Sequence, residues 1–68
     1  MFIVLTNASE GFEGTKMAIN TSIIVSVFEK NIAEEGAKKK MATFVFASDK
    51  LSWQVKESVV EVVGRLNS

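Results

Sequence analysis

The 68 residues contain no histidine, cysteine or tyrosine. Acid–base or nucleophilic chemistry would therefore fall to Asp49, the glutamates, the lysines and the hydroxyls. A catalytic carboxylate needs burial, or a like charge beside it, to raise its pKa into the working range. Glu34 and Glu35 are adjacent, but they lie in the polar run NIAEEGAKKK, where water keeps both ionised. Glu57 and Glu61 are one helical turn apart and could hold a cation weakly. Their positions near a helix N-terminus give them a better use, as first-turn acids facing the positive end of the dipole. A serine or threonine hydroxyl would have no histidine to take its proton. Gly11, Phe12, Glu13 and Gly14 lack the glycine spacing and the following lysine of a phosphate-binding loop. No catalytic residue, no metal site and no cofactor is expected, and zinc in particular lacks its usual sulfur and imidazole ligands.

Binding is a separate matter from catalysis. Lys38, Lys39 and Lys40, with Lys56, could touch phosphates. Against this, Glu34 and Glu35 stand four residues before Lys38 and Lys39, the favourable helical order. Gly36 interrupts that order, so the run reads as a solvated loop with at most a weak turn of helix. Phe12 lies in the loop ASEGFEG and either folds back on a sheet edge or stands out as an aromatic contact for a partner. Trp53 with Phe44 and Phe46 could form a surface on which bases stack. Alternation of Trp53 with Leu51 and Val55 argues instead that it belongs to the core.

These residues must be carried by elements that hydropathy periods define. Residues 2–7 are β-branched and aromatic, apolar on both faces, and read as a central or doubly covered strand. A loop over 8–14 follows, with two glycines and two acids. Residues 15–20 form a short strand with Met17 and Ile19 on one face. Asn20, Thr21 and Ser22 read as a polar turn. Residues 22–30 alternate strongly, with Ile23, Val25 and Val27 opposite Ile24, Ser26 and Phe28, as in a central or interface strand. Residues 41–48 place Phe44 and Phe46 opposite Thr43, Val45 and Ala47. A two-residue connection, Asp49-Lys50, leads to a strand over 51–55 and makes a hairpin.

The period then changes from two to 3.6. Val59, Val62, Val63 and Leu66 share one side of a helix, with Glu61 and Arg65 off it. Valine is poor helix material. Ser58 followed three residues later by Glu61 supplies a capping box, and Arg65 complements the far end of the dipole. The expected fold is mainly β: a bent antiparallel meander or small, partly open barrel of about five strands with one C-terminal helix, in a single domain over residues 1–68.

A core this small supplies roughly 3–5 kcal/mol, and no disulfide can add to it. The composition is 47% hydrophobic, more than one small globule hides easily, which favours a homodimer or another bound partner. Eight basic and eight acidic residues give zero net charge, against strong non-specific nucleic-acid binding. No run approaches a membrane span, and the opening MFIVLTN has no basic segment before its apolar residues, so it reads as a strand and not as a signal peptide. The lack of cysteine fits a reducing compartment. Without a secretion signal, the sequons at Asn7 and Asn20 read as chance.

Two segments resemble the FlbD-type small flagellar proteins and their short phage-encoded relatives. KMAINTSIIVSVFE is similar to a strand ending in Asn followed by an Ile-rich strand with a terminal Glu. FVFASDKLSWQVKESVVEVVGRL is similar to the closing strand, tight turn, strand and Val- and Glu-rich helix of that family, and IVLT fits its opening. The chain departs from the pattern at ASEGFEG, which lacks the L-N-G turn, and at NIAEEGAKKK, which replaces a shorter connection containing proline. The resemblance implies a cytoplasmic, non-enzymatic accessory protein of a bacterium or phage, docking itself or another protein. A weaker likeness, at Val55-Lys56-Glu57-Ser58, is to the carbon-storage regulators, strand-rich RNA-binding dimers. It implies a small RNA- or DNA-binding homodimer as the alternative, although their RNA-contacting arginine has no counterpart.

Overall fold

Five strands and one short helix follow in the order that the periods predict. The computed structural model describes residues 1–33, 36 and 38–68. Strands β1 (Phe2–Thr6) and β2 (Lys16–Asn20) pair antiparallel as one sheet. A 3-10 turn, Thr21–Ile23, carries the chain into a second antiparallel sheet of β3 (Ile24–Asn31), β4 (Met41–Ala47) and β5 (Ser52–Val55), in the order β3-β4-β5. Helix α1 (Val59–Leu66) follows. The protein is thus mainly β with a C-terminal helix, as its sequence predicts. The acids Glu34 and Glu35, and the weak helical turn expected there, lie outside the described residues.

The two sheets are stitched together where β5 meets the end of β1. Asn7 bridges Val55 antiparallel. The Ala8 N–H donates to the Gln54 carbonyl at 2.9 Å, and the Lys56 N–H to the Thr6 carbonyl at 2.9 Å. β1 therefore has neighbours on both edges at its C-terminal end. Its faces are not both covered, contrary to the expectation for residues 2–7: Ile3 and Leu5 are buried, whereas Phe2 and Val4 are exposed. Ile3, Leu5, Ile19, Val45, Val55 and Val62 form the buried cluster, with Met17, Ile23, Ile24, Val27, Trp53 and Leu66 packed against it.

Two local irregularities correct the expected faces. The first is a bulge between Ile24 and Ser26, where Ile24 pairs with Ala47 and Ser26 with Phe46. The extra residue breaks the alternation. Val25 turns out to solvent, while Ile23, Ile24 and Val27 all pack inward. β3 is an edge strand in this sheet, not a central one. The second is the β4–β5 turn. It spans three residues, Ser48, Asp49 and Lys50, because the Ala47 N–H donates to the Leu51 carbonyl at 2.8 Å and the Lys50 N–H to the Ala47 carbonyl at 3.1 Å. Lys50 sits at φ 70°, the left-handed residue that completes such a three-residue loop. A two-residue Asp49-Lys50 connection would have set Phe46 opposite Trp53. The observed register sets Val45 opposite Trp53 and Phe46 opposite Ser52.

The helix begins as its sequence predicts. The Ser58 hydroxyl accepts the Glu61 N–H at 3.1 Å, and the Glu61 carboxylate accepts the Ser58 N–H at 3.4 Å, which is a capping box. Val62 is fully buried, Val59 and Leu66 are half-buried, and Val63 lies at the margin of that face, 41% exposed. Eight residues rich in valine are too few to hold a helix in water. Docking onto β1 and β3 stabilises it.

Candidate functional site

The β4–β5 register decides which side chains the three-stranded sheet shows to solvent. Side chains directly opposite one another share a face, and a slip of one residue exchanges the faces. Ser26, Phe46 and Ser52 form one cross-strand row on the outer face, Phe28, Phe44 and Gln54 the next, and Lys30 with Ala42, which is buried between its neighbours, the third. The opposite face carries Val45 and Val55 into the core and rests Trp53 against it. Trp53 therefore packs against the core, as its alternation with Leu51 and Val55 predicts, and forms no joint surface with Phe44 and Phe46, which lie on the other side of the sheet. Phe28 takes its place. The Phe28 and Phe44 rings stack with centroids 5.8 Å apart and planes inclined by 21°. Phe28 is 42% exposed, Phe46 36%, and Phe44 is half-buried. Phe44 and Phe46, two residues apart in a strand, point the same way, and the length of the turn makes that way outward.

The remaining residues singled out from the sequence lie in connections. Phe12 is exposed in the β1–β2 loop and does not fold back on a sheet edge. Its N–H donates to the Ser9 carbonyl at 3.0 Å, and its carbonyl accepts the Thr15 N–H at 3.1 Å. Lys38, Lys39 and Lys40 are exposed in the segment entering β4, and Lys56 is exposed just beyond β5. Thr43 pairs with Val55 and Lys30 with Ala42. The start of β4, the end of β5 and Lys30 therefore lie toward one end of the ladder. Lys38, Lys39, Lys40 and Lys56 gather at that end, and Phe12 belongs to a different connection. The two sequon asparagines have structural work: Asn7 Oδ1 accepts the Ser9 N–H at 2.7 Å, and Asn20 Oδ1 accepts the Ser22 N–H at 3.1 Å.

Comparison of the chain with protein-family models, curated proteins and solved structures finds no match.

One further polar cluster escaped the sequence. Glu57 was expected to serve the helix dipole beside Glu61, yet it precedes the N-cap and is buried, 8% exposed. Its carboxylate accepts the Thr6 N–H and the Thr6 hydroxyl, each at 2.9 Å. Arg65 Nη1 reaches it at 3.3 Å and also donates to the Val4 carbonyl at 2.6 Å. Lys16 Nζ donates to Thr6 Oγ1 at 2.9 Å. The carboxylate thus takes the β1 N–H that a longer β5 would otherwise have paired. Burial pushes the Glu57 carboxyl up. The Thr6 N–H, its own backbone N–H, the Thr6 hydroxyl and Arg65 together outweigh that and hold it below its ordinary value of 4.5. Joined to Thr6 of β1 on one side and to Arg65 of α1 on the other, the Glu57 carboxylate acts as a clasp between β1 and the helix. The two glutamates have different partners, Glu57 the Thr6 groups and Glu61 the Ser58 N–H.

Proposed function

We propose that the chain is a non-enzymatic interaction module, an accessory or regulatory protein of a bacterium or its phage working in the cytoplasm. It acts by docking an apolar protein surface on the outer face of the β3-β4-β5 sheet. The observation that carries this is the stacked Phe28–Phe44 pair beside Phe46, left toward solvent on a sheet whose other face already supplies the core. Aromatic side chains give the largest contact area for the least lost rotamer freedom, and a few of them dominate most interfaces. Ser26, Ser52 and Gln54 around them form a polar rim. The resemblance to the FlbD-type proteins implies the same class of role. No helix among the described residues is long and apolar enough to cross a membrane.

A photo-crosslinking amino acid, p-benzoyl-phenylalanine, placed at position 46 tests this in the cells that make the protein. The expected result is one discrete adduct from position 46 that is missing when the same group stands at Phe12. Equal adducts from both positions, or none from 46, would count against the outer face.

A second function, binding of single-stranded RNA or DNA, draws on a different observation. Lys30, Lys38, Lys39, Lys40 and Lys56 lie toward one end of the sheet that bears the aromatic face. Phosphate contacts weaken steeply with salt and apolar docking does not. Replacing Lys38, Lys39 and Lys40 by alanine would abolish a nucleic-acid complex and leave protein docking largely unchanged.

A further inference from the structure

We infer that the occupant of the outer aromatic face is a second copy of this chain, packed sheet to sheet about a two-fold axis. The inference rests on the docking function proposed above and names its partner.

Three features point to self-recognition. The first is the surface itself. The chain exposes 4800 Å², against about 4,200 Å² expected of a monomer of its 7.5 kDa. Part of the excess comes from its shape, 41 Å long and 22 by 21 Å across. The outer face contributes Phe28 and Phe46 to what remains uncovered.

The second feature is charge. In the three outer rows Lys30 is the one charged residue, and Lys56, which continues the face past Gln54, stands with it at the Ala42 end. A two-fold axis lying between the sheets and running across the strands at the Phe44 row sends the two Lys30 ends to opposite ends of the interface. Like charges therefore do not meet, which is the condition a self-facing surface must satisfy. A surface shaped for a strongly charged partner would carry its counter-charges among the phenylalanines.

The third feature is the chemistry of the rim. Ser26, Ser52 and Gln54 each carry both a donor and an acceptor. Gln54, in the Phe44 row, can bond to its own copy across the axis, and Ser26 and Ser52 can pair with whichever polar group they meet, whereas a carboxylate or an ammonium group cannot pair with its own kind. The rows lie about 7 Å apart and the strands about 4.8 Å apart, so the phenylalanines of one copy can settle between the rows of the other at the usual inter-sheet spacing of about 10 Å. Three short strands make a small interface, below the usual 1,200 Å² of total buried area, roughly, so the dimer should dissociate on dilution.

Light scattering after gel filtration of the purified chain, over a dilution series, tests this. The expected mass is about 15 kDa, twice the 7.5 kDa chain, at high concentration, falling toward 7.5 kDa on dilution. The double variant Phe28→Ser, Phe46→Ser should weaken the dimer at least about tenfold. Should that variant fail to fold, Ser52→Lys keeps every aromatic and should weaken it comparably, by bringing two ammonium groups into the neutral part of the face. Val60→Ser, on the exposed side of α1, should leave the mass curve unchanged. A mass of 7.5 kDa at every concentration, or a dimer indifferent to the face variants, would overturn the second copy. In the first case, a position-46 adduct with a different protein would leave the docking function standing with another partner, and an adduct removed by nuclease would assign the face to nucleic acid.

Discussion

Replacing Glu57 by alanine should bring the protein to the edge of unfolding at neutral pH. The carboxylate closes the gap between β1 and the start of α1, and it is the acceptor for the buried Thr6 N–H and hydroxyl. Hydrogen bonds to a charged acceptor contribute about 1.5–3 kcal/mol, and a buried N–H left without a partner costs about 1–3 kcal/mol. A loss of about 2–4 kcal/mol is expected, comparable with the whole stability of a domain this size, roughly 3–5 kcal/mol. Arg65 contributes less than the Thr6 groups. Its side chain is 45% exposed, and a half-solvated ion pair contributes no more than about 1 kcal/mol.

Glu57→Gln separates charge from shape. The amide oxygen can still accept the Thr6 N–H, but the amide nitrogen faces a hydroxyl that already accepts from Lys16. Its cost should be intermediate, about 1–2 kcal/mol at pH 7. The pH dependence follows from the lowered carboxyl. Its contribution is fully present above the ordinary value of 4.5 and is lost as the pH falls from there through the lower folded-state value. Urea unfolding at pH 7 and at steps from pH 5 downward should show the wild-type protein losing stability in that window more steeply than Glu57→Gln. Parallel curves for the two proteins would contradict the clasp.

Leu5→Ala should be as damaging, for a different reason. Leu5 is fully buried in β1, among Ile3, Ile19, Val45, Val55 and Val62 from both sheets and the helix. Truncating a buried leucine removes its transfer energy and leaves a cavity, at about 2–5 kcal/mol. A core of so few large side chains has little from which to refill that space. Val4→Ala, one residue away and 54% exposed, should change stability by no more than about 0.5 kcal/mol. Unfolding midpoints of the two variants side by side would check the inward and outward assignment of β1. Similar losses at both positions would mean that the outer face of β1 is covered.

Element order and type were legible because each rests on a local period. The change from alternating Leu51, Trp53 and Val55 to Val59, Val62, Val63 and Leu66 marks the end of the sheet, and Ser58 with Glu61 marks the helix start. The candidate site was less legible, since it depends on registers that one residue can reverse. Nothing in ASDKLS distinguishes a two-residue turn from a three-residue turn ending in left-handed Lys50, and that choice sends Phe44 and Phe46 outward, away from Trp53. The bulge at Val25 is likewise a property of how β3 meets β4, not of the letters SIIVSVF. The role of Glu57 is not legible locally because its partner is Thr6, 51 residues away. A glutamate just before a serine N-cap carries the same local signature whether it points to water or folds back under a strand.

The partition of the aromatics between the two faces is what every functional statement here depends on. Proton NOE spectroscopy of the labelled protein measures it directly. The rings of Phe28 and Phe44 should show strong mutual contacts, and the Trp53 indole should contact methyl groups of the buried cluster and neither Phe44 nor Phe46. NOEs from Trp53 to Phe44 or Phe46 would mean that the β4–β5 turn is one residue shorter, would turn the aromatic face inward, and would remove the docking surface.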